Sequence, residues 1–404
     1  MNFEHPVELE HLRVRVRAFV EDHVLPQEAQ ENEDEGLPAE LLTQARQQAR
    51  QAGVWAPQLP REYGGLALDT VGLCVVFEEA GRSPLGPLVL HCAAPDEGNM
   101  HLLLRAATPE QRRRYLEPLA RGEVRSCFAM TEPAPGAGSD PTMLRTRAER
   151  RGEQWVLNGR KWFISGARGA AFAIVAAVSD PDAPPRQGVT LFLVEAGTPG
   201  FEVVRSIPTL TSGGPGGHCE VQFTECSVSD DRVLGRPGEG FKLMQVRLGP
   251  ARLTHCMRWL GAAGRAVEIA TRYAQQRQAF GKMLAEHEAV QWMLADSAIE
   301  MHASRLMVLQ AAWKIDRGDE ARQETSMCKV FVAEAVGRII DRCIQICGSL
   351  GISRDVLLER LYRDVRAFRI YDGPSEVHRM VIARQVLKAA RDPASGGRQP
   401  PVFR

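Results

Sequence analysis

The spacing of apolar residues changes twice along this chain of 404 residues. Up to about residue 120, and again from residue 240, apolar side chains recur at the three- and four-residue intervals typical of helices. Between these regions, short apolar runs separated by turn residues are typical of strands. The pattern predicts helices at Leu9–Val24, Ala39–Ala52, Val71–Ala80, Leu253–Gln276, Ala289–Arg317, Ala321–Cys347 and Glu376–Ala390. It predicts strands at Ser126–Met130, Trp155–Asn158, Ala171–Val178, Val189–Val194 and Glu220–Phe223.

The two changes of pattern predict three domains and an α+β fold. We expect an N-terminal helical domain at residues 1–123, a middle β domain (a small barrel or sandwich) at 124–235, and a C-terminal four-helix bundle at 236–391. The bundle helices are long enough to run antiparallel, and their broad apolar faces predict packing on another subunit. Residues 392–404 are rich in Pro and Gly and are expected to be disordered.

Charge and composition exclude several classes of function. Lys+Arg and Asp+Glu both total 50, so no net charge draws the chain to nucleic acid or to an anionic membrane. A solvated helix face explains the basic run Arg112–Arg114 better than a nucleic-acid site does. No apolar run approaches the roughly 20 residues of a membrane span. The acidic first residues do not resemble a signal peptide, and the nine scattered cysteines fit reduced thiols without metal-ligand spacing. A cytoplasmic location is therefore expected.

The segment from Cys127 to Asp140 carries the strongest functional signal. The apolar run Cys127–Met130 is followed by Thr-Glu-Pro and a glycine-spaced turn. Glycines let a backbone approach a ligand closely, and successive N–H groups can hold anionic or electron-rich atoms. The hydroxyls of Thr131 and Ser139 lie in the same segment. An ordinary strand-to-loop turn uses the same residue types, so the spacing alone leaves both interpretations open.

Three further segments are candidates for chemistry, and each has a structural alternative. Asn158-Gly159 is expected to form a hairpin turn before a strand that presents Phe163 and Ser165 on one face, although a core aromatic is the simpler explanation of Phe163. Arg277 at a helix end suits a phosphate, or it belongs to an ordinary surface loop. Asp372 lies in a Tyr-Asp-Gly-Pro turn, where helix capping is the strongest alternative to a chemical role.

Taken in order, these segments resemble the acyl-CoA dehydrogenase family. The resemblance runs from about Pro38 to Lys388, and no single motif carries it alone. The matching motifs are Pro60–Gly65, Glu78–Ser83, Arg113–Leu119, Met130-Thr131-Glu132-Pro133 with Gly138-Ser139-Asp140, Asn158–Ser165, Arg277–Gly281, Gln345–Gly351 and Tyr371-Asp372-Gly373. The helical–β–helical layout of the family agrees with the layout that the apolar spacing predicts.

The resemblance implies that FAD binds between the β domain and the C-terminal bundle. The residues that would line its flavin are Phe128, Met130, Thr131, Gly138, Ser139, Phe163 and Ser165. Those that would meet its phosphates and adenosine, partly across a subunit interface, are Arg277, Phe280, His287, Gln345 and Gly348, with Ser375 and Glu376 nearby. The same resemblance implies that Ser139, Arg252 and Gly373 contact the substrate.

The family's chemistry is the α,β-dehydrogenation of an acyl-CoA thioester. A carboxylate takes the α-proton while the β-hydrogen passes as hydride to flavin N5, and hydrogen bonds to the thioester carbonyl stabilise the developing charge. The resemblance assigns the base to Asp372, with Arg252 beside it. Many members carry Glu at this position, so the carboxylate of this chain reaches one methylene less. Such a base is expected to be desolvated, which raises its pKa.

Departures from the commonest family pattern indicate a branch. The turn after Glu132 is two residues longer, Ala279 replaces a hydroxyl, and no acid precedes Arg252. With Gly216-Gly217-His218 and Leu248–Arg252, these features resemble the branch that contains acyl-CoA dehydrogenase family members 10 and 11 of animals, which also carry Asp as base. That branch tends towards long or oxygenated chains. A medium, long or substituted acyl-CoA is therefore expected rather than a short unbranched one.

Three functions are compatible with these residues. The first is a dehydrogenase that passes electrons to an electron-transfer flavoprotein and forms a tetramer or a dimer. The second is a flavin oxidase of the same fold, such as a nitroalkane oxidase, which also uses Asp. The third is a non-enzymatic flavoprotein, such as a nucleic-acid-binding one. Arg252 and the branch motifs favour the first function, and the zero net charge and the retained carboxylate disfavour the third.

Overall fold

Helices occupy both ends of the chain and a sheet occupies its middle, so the predicted helical–β–helical order is confirmed. The computed structural model describes residues 4–33, 35–210 and 214–391, so the tail expected at 392–404 lies outside the described residues. The α-helices are α1 Val7–Phe19, α2 Ala39–Gln51, α3 Thr70–Ala80, α4 Gly86–Val89, α5 Asp96–Ala106, α6 Pro109–Gln111, α7 Glu117–Ala120, α8 Gly240–Gln276, α9 Glu288–Asp316, α10 Arg322–Cys347, α11 Leu358–Arg366 and α12 Ser375–Arg391. None of these described helices is both long and apolar enough to cross a membrane.

One mixed sheet forms the middle of the chain. Its strands are β1 Ser126–Ala129, β2 Arg147–Arg151, β3 Gln154–Ser165, β4 Phe172–Val178, β5 Val189–Glu195, β6 Phe201–Ser206, β7 His218–Ser229 and β8 Val233–Leu234. The strand order is β6-β7-β3-β2-β4-β5-β8, and β1 pairs in parallel with β4. A separate two-stranded ribbon, β9 Gln278–Ala279 with β10 Lys282–Met283, follows α8.

The two faces of the sheet belong to different cores. Along β4, Ala173, Val175 and Ala177 point into a core made mostly of strand residues, among them Phe192 and Phe223. The alternate residues of the same strand, Phe172, Ile174 and Ala176, belong to the helical core instead. Because side chains alternate across a strand, β4 is buried on both faces and joins the sheet to the helices.

Helices α8, α9 and α10 form the body of the C-terminal bundle, with α3 and α12 packed against it. The facing residues Leu253, Leu260, Val332, Val336 and Ile339 are buried completely. The residues between α11 and α12 turn back over this bundle, which brings the predicted base next to α8 and α10.

Two local predictions are wrong. The predicted Asn158-Gly159 hairpin turn is absent, because β3 continues through it to Ser165 with a bulge between Leu157 and Gly159. A bulge accommodates an unpaired residue without ending the strand. Helix α8 begins at Gly240, well before the predicted Leu253, and it contains Pro250. Proline normally marks a helix end, so the sequence pattern placed the start too late.

Candidate active site

Asp372 and Gly373 form a sharp backbone turn between α11 and α12. Both have positive φ angles, 54° for Asp372 and 99° for Gly373. A β-carbon built on Gly373 would lie 2.7 Å from Nε2 of His378, so the position requires glycine on steric as well as conformational grounds. The left-handed conformation of Asp372 costs energy for a residue other than glycine and persists only where its surroundings fix it.

Three cationic or imidazole donors fix this turn through its carbonyl oxygens. Arg252 Nε and His378 Nε2 each donate to the carbonyl of Asp372 at 3.1 Å. Lys329 Nζ, which is completely buried, donates to the carbonyl of Gly373 at 3.2 Å and to that of Phe368 at 2.6 Å. The donors come from α8, α12 and α10, so three helices hold one dipeptide in place.

The carboxylate of Asp372 has its own partner on α8. Its Oδ2 lies 3.1 Å from Nε2 of His255. Arg258 Nη2 donates to Nδ1 of His255 at 2.9 Å, and a guanidinium can only donate. Nδ1 therefore accepts, and the proton of the neutral ring sits on Nε2, facing Asp372. Burial lowers the pKa of His255 to about 4, so the imidazole is neutral at neutral pH.

The charge environment sets the pKa of Asp372 below its usual range. Burial raises this pKa, but the hydrogen bond from His255 and the charges of Arg247 and Arg252 lower it by more. The prediction that the pKa of Asp372 is raised is therefore wrong, because the surrounding side chains lower it. The carboxylate is thus ionised at neutral pH, the form that a base requires.

A second buried carboxyl group, Glu97 on α5, lies on the same side of α8. Among the described residues, its Oε2 is buried and has no hydrogen-bond partner. Burial raises the pKa of Glu97, and the charge of Asp372 adds to that rise. Arg247 lies close by: its Nε donates to Asn99 Oδ1 at 2.8 Å, and its guanidinium lies 4.3 Å from the ring centroid of Phe128. The surroundings of Asp372 therefore contain several buried polar groups.

Residues 130–140, which we call the 130–140 loop, fold around a buried ion pair. Lys161 Nζ lies 2.8 Å from Glu132 Oε1 and donates to the carbonyl of Met130 at 3.0 Å. The Glu132 carboxylate also accepts from the backbone N–H groups of Arg145 at 2.7 Å and Thr146 at 2.9 Å. One carboxylate thus ties the loop to β3 and to the start of β2.

The hydroxyl and aromatic residues expected at a flavin lie where this loop meets β3. Thr131 Oγ1 donates to the carbonyl of Trp162 at 2.6 Å, and Ser165 Oγ lies 2.9 Å from Nδ1 of His218. Phe163 has a φ of 52° at a register shift, which breaks the strand alternation, and its side chain is 46% exposed. No atom lies within 4 Å of a β-carbon built on Gly138, and Ser139 beside it is exposed. An accessible ring, nearby hydroxyls and an uncrowded glycine turn fit the planar flavin of FAD.

Most of the predicted contacts to the phosphates and adenosine of FAD are exposed. Phe280 is 98% exposed at the tip of the β9–β10 ribbon, and His287 Nε2 donates to the carbonyl of Ala279 at 3.1 Å. Arg277 is exposed at the end of α8. The other exposed positions are Gln345 and Gly348 at the end of α10 and Glu376 at the start of α12. A single chain therefore leaves these groups uncovered.

Sequence reasoning missed His255, Lys329 and His378, which contact Asp372 or Gly373. His255 lies three residues after Arg252 and so shares its helix face, a signal that the sequence contained. Lys329 is 43 residues before Asp372, and only packing brings the two segments together. Ser375, which was predicted, has a buried Oγ without a partner among the described residues.

Comparison with known families gives one consistent result. The acyl-CoA dehydrogenase N-terminal domain model matches residues 6–123, the middle domain model matches residues 127–226, and the C-terminal domain model matches residues 238–387.

Two curated proteins show how far the similarity extends. The chain is 39% identical over 388 residues to "Probable acyl-CoA dehydrogenase FadE2" of Mycobacterium tuberculosis, covering 93% of this chain and 94% of that protein. It is 36% identical over 392 residues to acyl-CoA dehydrogenase family member 11 of Homo sapiens, covering 93% of this chain and 50% of that protein. The chain thus spans about half the length of the human relative.

Solved structures share the whole fold. A structure from Mycobacterium abscessus aligns with a TM-score of 0.90 at 37% identity, covering 96% of this chain and 100% of that one. The FAD complex of PigA aligns with a TM-score of 0.85 at 25% identity, covering 96% of this chain and 99% of that one.

Proposed function

Because this chain belongs to the acyl-CoA dehydrogenase family, we propose that it is an FAD-dependent enzyme that converts an acyl-CoA thioester to the 2-enoyl-CoA. Asp372 is the base that takes the α-proton. The observation that carries this assignment is the partly buried carboxylate of Asp372, ionised at neutral pH and fixed on a turn that three helices hold. A base whose position is fixed in advance has little entropy left to lose in the transition state.

The protein's part in the reaction is to bind, orient and accept a proton. FAD, when bound, supplies the acceptor for the β-hydride. Asp372 forms an O–H bond as the α-carbon loses its proton. Arg252, Ser139 and Gly373 contact the substrate at the end of its acyl group that reacts. Arg252 suits this role because it touches the carbonyl of Asp372 and carries positive charge beside the site where enolate-like charge develops.

Phe163, Thr131 and Ser165 would hold the flavin ring, with Phe128, Met130, Gly138 and Ser139 nearby. The exposed ring of Phe163 and the uncrowded Gly138 support this arrangement. The residues assigned to the phosphates and adenosine are Arg277, Phe280, His287, Gln345 and Gly348, with Ser375 and Glu376 nearby.

We propose that the acyl chain is medium or long or carries a substituent, and the buried polar groups near Asp372 support the substituent. An apolar chain packed against Glu97 would leave its Oε2 unsatisfied, at a cost of roughly 1–3 kcal/mol. An oxygen-bearing chain can satisfy that group instead. A panel of matched acyl-CoAs with and without a hydroxyl group tests this: equal kcat/KM for both would contradict it.

We also propose a homo-oligomer that passes its electrons to an electron-transfer flavoprotein. Four large apolar side chains of α9 are 40% to 65% exposed and spaced seven residues apart, namely Trp292, Ile299, Leu306 and Trp313. A seven-residue apolar repeat is typical of a helix that packs on another helix. A second chain on this face would also cover part of the exposed ribbon around Phe280. Light scattering that gives the mass of a single chain would contradict the oligomer.

One experiment tests the reaction. The purified protein is mixed anaerobically with acyl-CoAs, and flavin bleaching is followed. We expect bleaching by an acyl-CoA and reoxidation by an electron-transfer flavoprotein. Bleaching only by a nitroalkane, with fast reoxidation by oxygen, would indicate an oxidase instead, and no bleaching by either would indicate a non-enzymatic flavoprotein.

The variant Asp372→Asn tests the base. It should retain flavin and lose the rate of reduction by about 10²–10⁴-fold, the usual contribution of a general base. The matched control is Asp355→Asn, which makes the same change at an exposed position and should react like the native protein. Full activity in Asp372→Asn would show that another group is the base.

A further inference from the structure

His255 is the one side chain seen to bond the carboxylate of Asp372 among the described residues, and the reaction proposed above does not use it. We propose that His255 is a positioning residue: it fixes the rotation of the Asp372 carboxylate so that Oδ1 faces the α-carbon, and Arg258 sets the tautomer that makes this possible. This inference rests on the proposed function of Asp372 as the base.

The geometry allows only one direction for the hydrogen bond. Nδ1 of His255 is occupied by the guanidinium of Arg258 at 2.9 Å, so the ring can offer only the Nε2 proton, and Oδ2 of Asp372 accepts it at 3.1 Å. The ring itself is held in place, since the Tyr371 ring packs on it edge to face with centroids 5.0 Å apart. Trp259 Nε1 in turn donates to the hydroxyl of Tyr371 at 2.6 Å.

An aspartate needs this support more than a glutamate would. Its side chain is one methylene shorter, and its backbone cannot move towards the substrate because Arg252, His378 and Lys329 hold the turn. The remaining freedom of the carboxylate is rotation about its own bonds. A hydrogen bond to Oδ2 removes that freedom, and a misplacement of about 1 Å can cost on the order of 10²-fold in rate.

The proton balance distinguishes a positioning residue from a proton relay. The C–H bond at the α-carbon breaks, its proton forms an O–H bond on Asp372, and the electron pair stays with the substrate. His255 keeps its Nε2 proton throughout, because Arg258 blocks Nδ1 and leaves no position for a second proton. Burial and the charge of Arg258 both disfavour the imidazolium form, in agreement with this role.

The charged and titratable groups around the pair come from four helices and the turn itself. They are Arg247, Arg252 and Arg258 of α8, Glu97 of α5, Lys329 of α10, His378 of α12 and Tyr371. None of the others is seen to bond the carboxylate oxygens. Loss of His255 therefore removes a directional contact that the remaining charges cannot replace.

The test compares His255→Leu with His255→Gln in the flavin-loaded enzyme. Leucine has no donor, whereas the glutamine amide can reach the position of Nε2 and donate. We expect His255→Leu to retain flavin and to lose kcat by about 10- to 100-fold, with a smaller change in KM. His255→Gln should restore most of kcat, whereas a merely structural role for the ring would not distinguish the two variants in this way.

The control is His11→Leu, the same change at an exposed position of α1, which should leave kcat unchanged. Native kcat in flavin-loaded His255→Leu would overturn the inference. If His255→Leu does not fold, His255→Gln decides the test. An inactive, flavin-loaded His255→Gln enzyme would overturn the inference. An error in the assignment of Asp372 as the base would be recognised separately. In that case Asp372→Asn would remain active, regardless of the results for the His255 variants.

Discussion

The 130–140 loop and the turn at Asp372 are both irregular segments built on buried charge, but they are held in opposite ways. In the loop, a carboxylate of the segment itself, Glu132, gathers neighbouring backbone N–H groups and Lys161 around it. At the turn, donors from three helices converge on the segment's carbonyls, and two of these helices, α8 and α10, are far away in sequence. The loop presents exposed side chains, whereas the turn presents a single partly buried carboxylate. Local contacts thus shape the proposed cofactor surface, and tertiary contacts place the proposed base.

The largest expected effect comes from breaking the ion pair of the loop. Lys161 and Glu132 are both buried, and removing one partner leaves an uncompensated charge. Lys161→Met should lower the free energy of unfolding by about 3–5 kcal/mol. It should also release flavin, because the loop loses its central contact. Urea denaturation and flavin absorbance measure both effects.

Lys242→Met is the matched control for this change, since Lys242 is exposed on α8, and it should alter stability by no more than about 0.5 kcal/mol. If Lys161→Met kept native stability and flavin content, the ion pair would not be what organises the loop.

The second largest effect that we expect is a loss of stability in acid at the Asp372 turn but not at the 130–140 loop. Burial lowers the pKa of His255 and of His378 to about 4 each, below the usual value for histidine. As the pH falls from 6.5 towards 4, the unfolded chain takes up protons that the folded chain does not, so folding stability falls. At pH 5 the loss is on the order of 2 kcal/mol for each histidine.

The loop should not respond over the same range. The pKa of Lys161 is lowered by burial only to about 8, and that of Glu132 ends below its usual value because Lys161 outweighs the effect of burial. Both groups therefore stay charged between pH 5 and pH 7. Hydrogen exchange at pH 5, corrected for the intrinsic rate, should show faster opening at residues 371–378 than at 130–146. Equal protection in both regions would contradict this difference.

The contrast between local contacts at the loop and tertiary contacts at the turn also explains which features could be predicted from the sequence. The domain order followed from apolar spacing, because the helices and strands bury continuous faces that leave a periodic trace. The 130–140 loop was recognisable since its glycines, hydroxyls and Glu132 are neighbours in sequence. The residues around Asp372 were harder to recognise. Lys329 meets the turn only after α10 packs. His378, six residues after Asp372, and His255, which shares a helix face with Arg252, were within reach of the sequence.

Local rules also failed where packing overrode them. Pro250 normally ends a helix, yet α8 continues through it, and this hid the length of helix that carries Arg247. Asn158-Gly159 normally makes a hairpin turn, but here Gly159 sits at a bulge within β3. Its neighbour Thr146 occupies the space that a β-carbon would need, at 2.4 Å from Oγ1, so close packing selects glycine there.

The smallest effect that we predict concerns Lys329. Its substitution should alter catalysis at the Asp372 turn without altering the proposed cofactor site at the 130–140 loop. Lys329→Met keeps the length of the side chain and removes the donor to the carbonyls of Phe368 and Gly373. Arg252 and His378 still hold Asp372, so the carboxylate should shift rather than be lost. We expect kcat to fall by about 10-fold, with flavin content unchanged. Rapid-reaction measurement of flavin reduction, alongside Lys242→Met, gives the comparison. Loss of flavin with an unchanged rate per flavin would show that Lys329 supports the fold as a whole and not the position of the base.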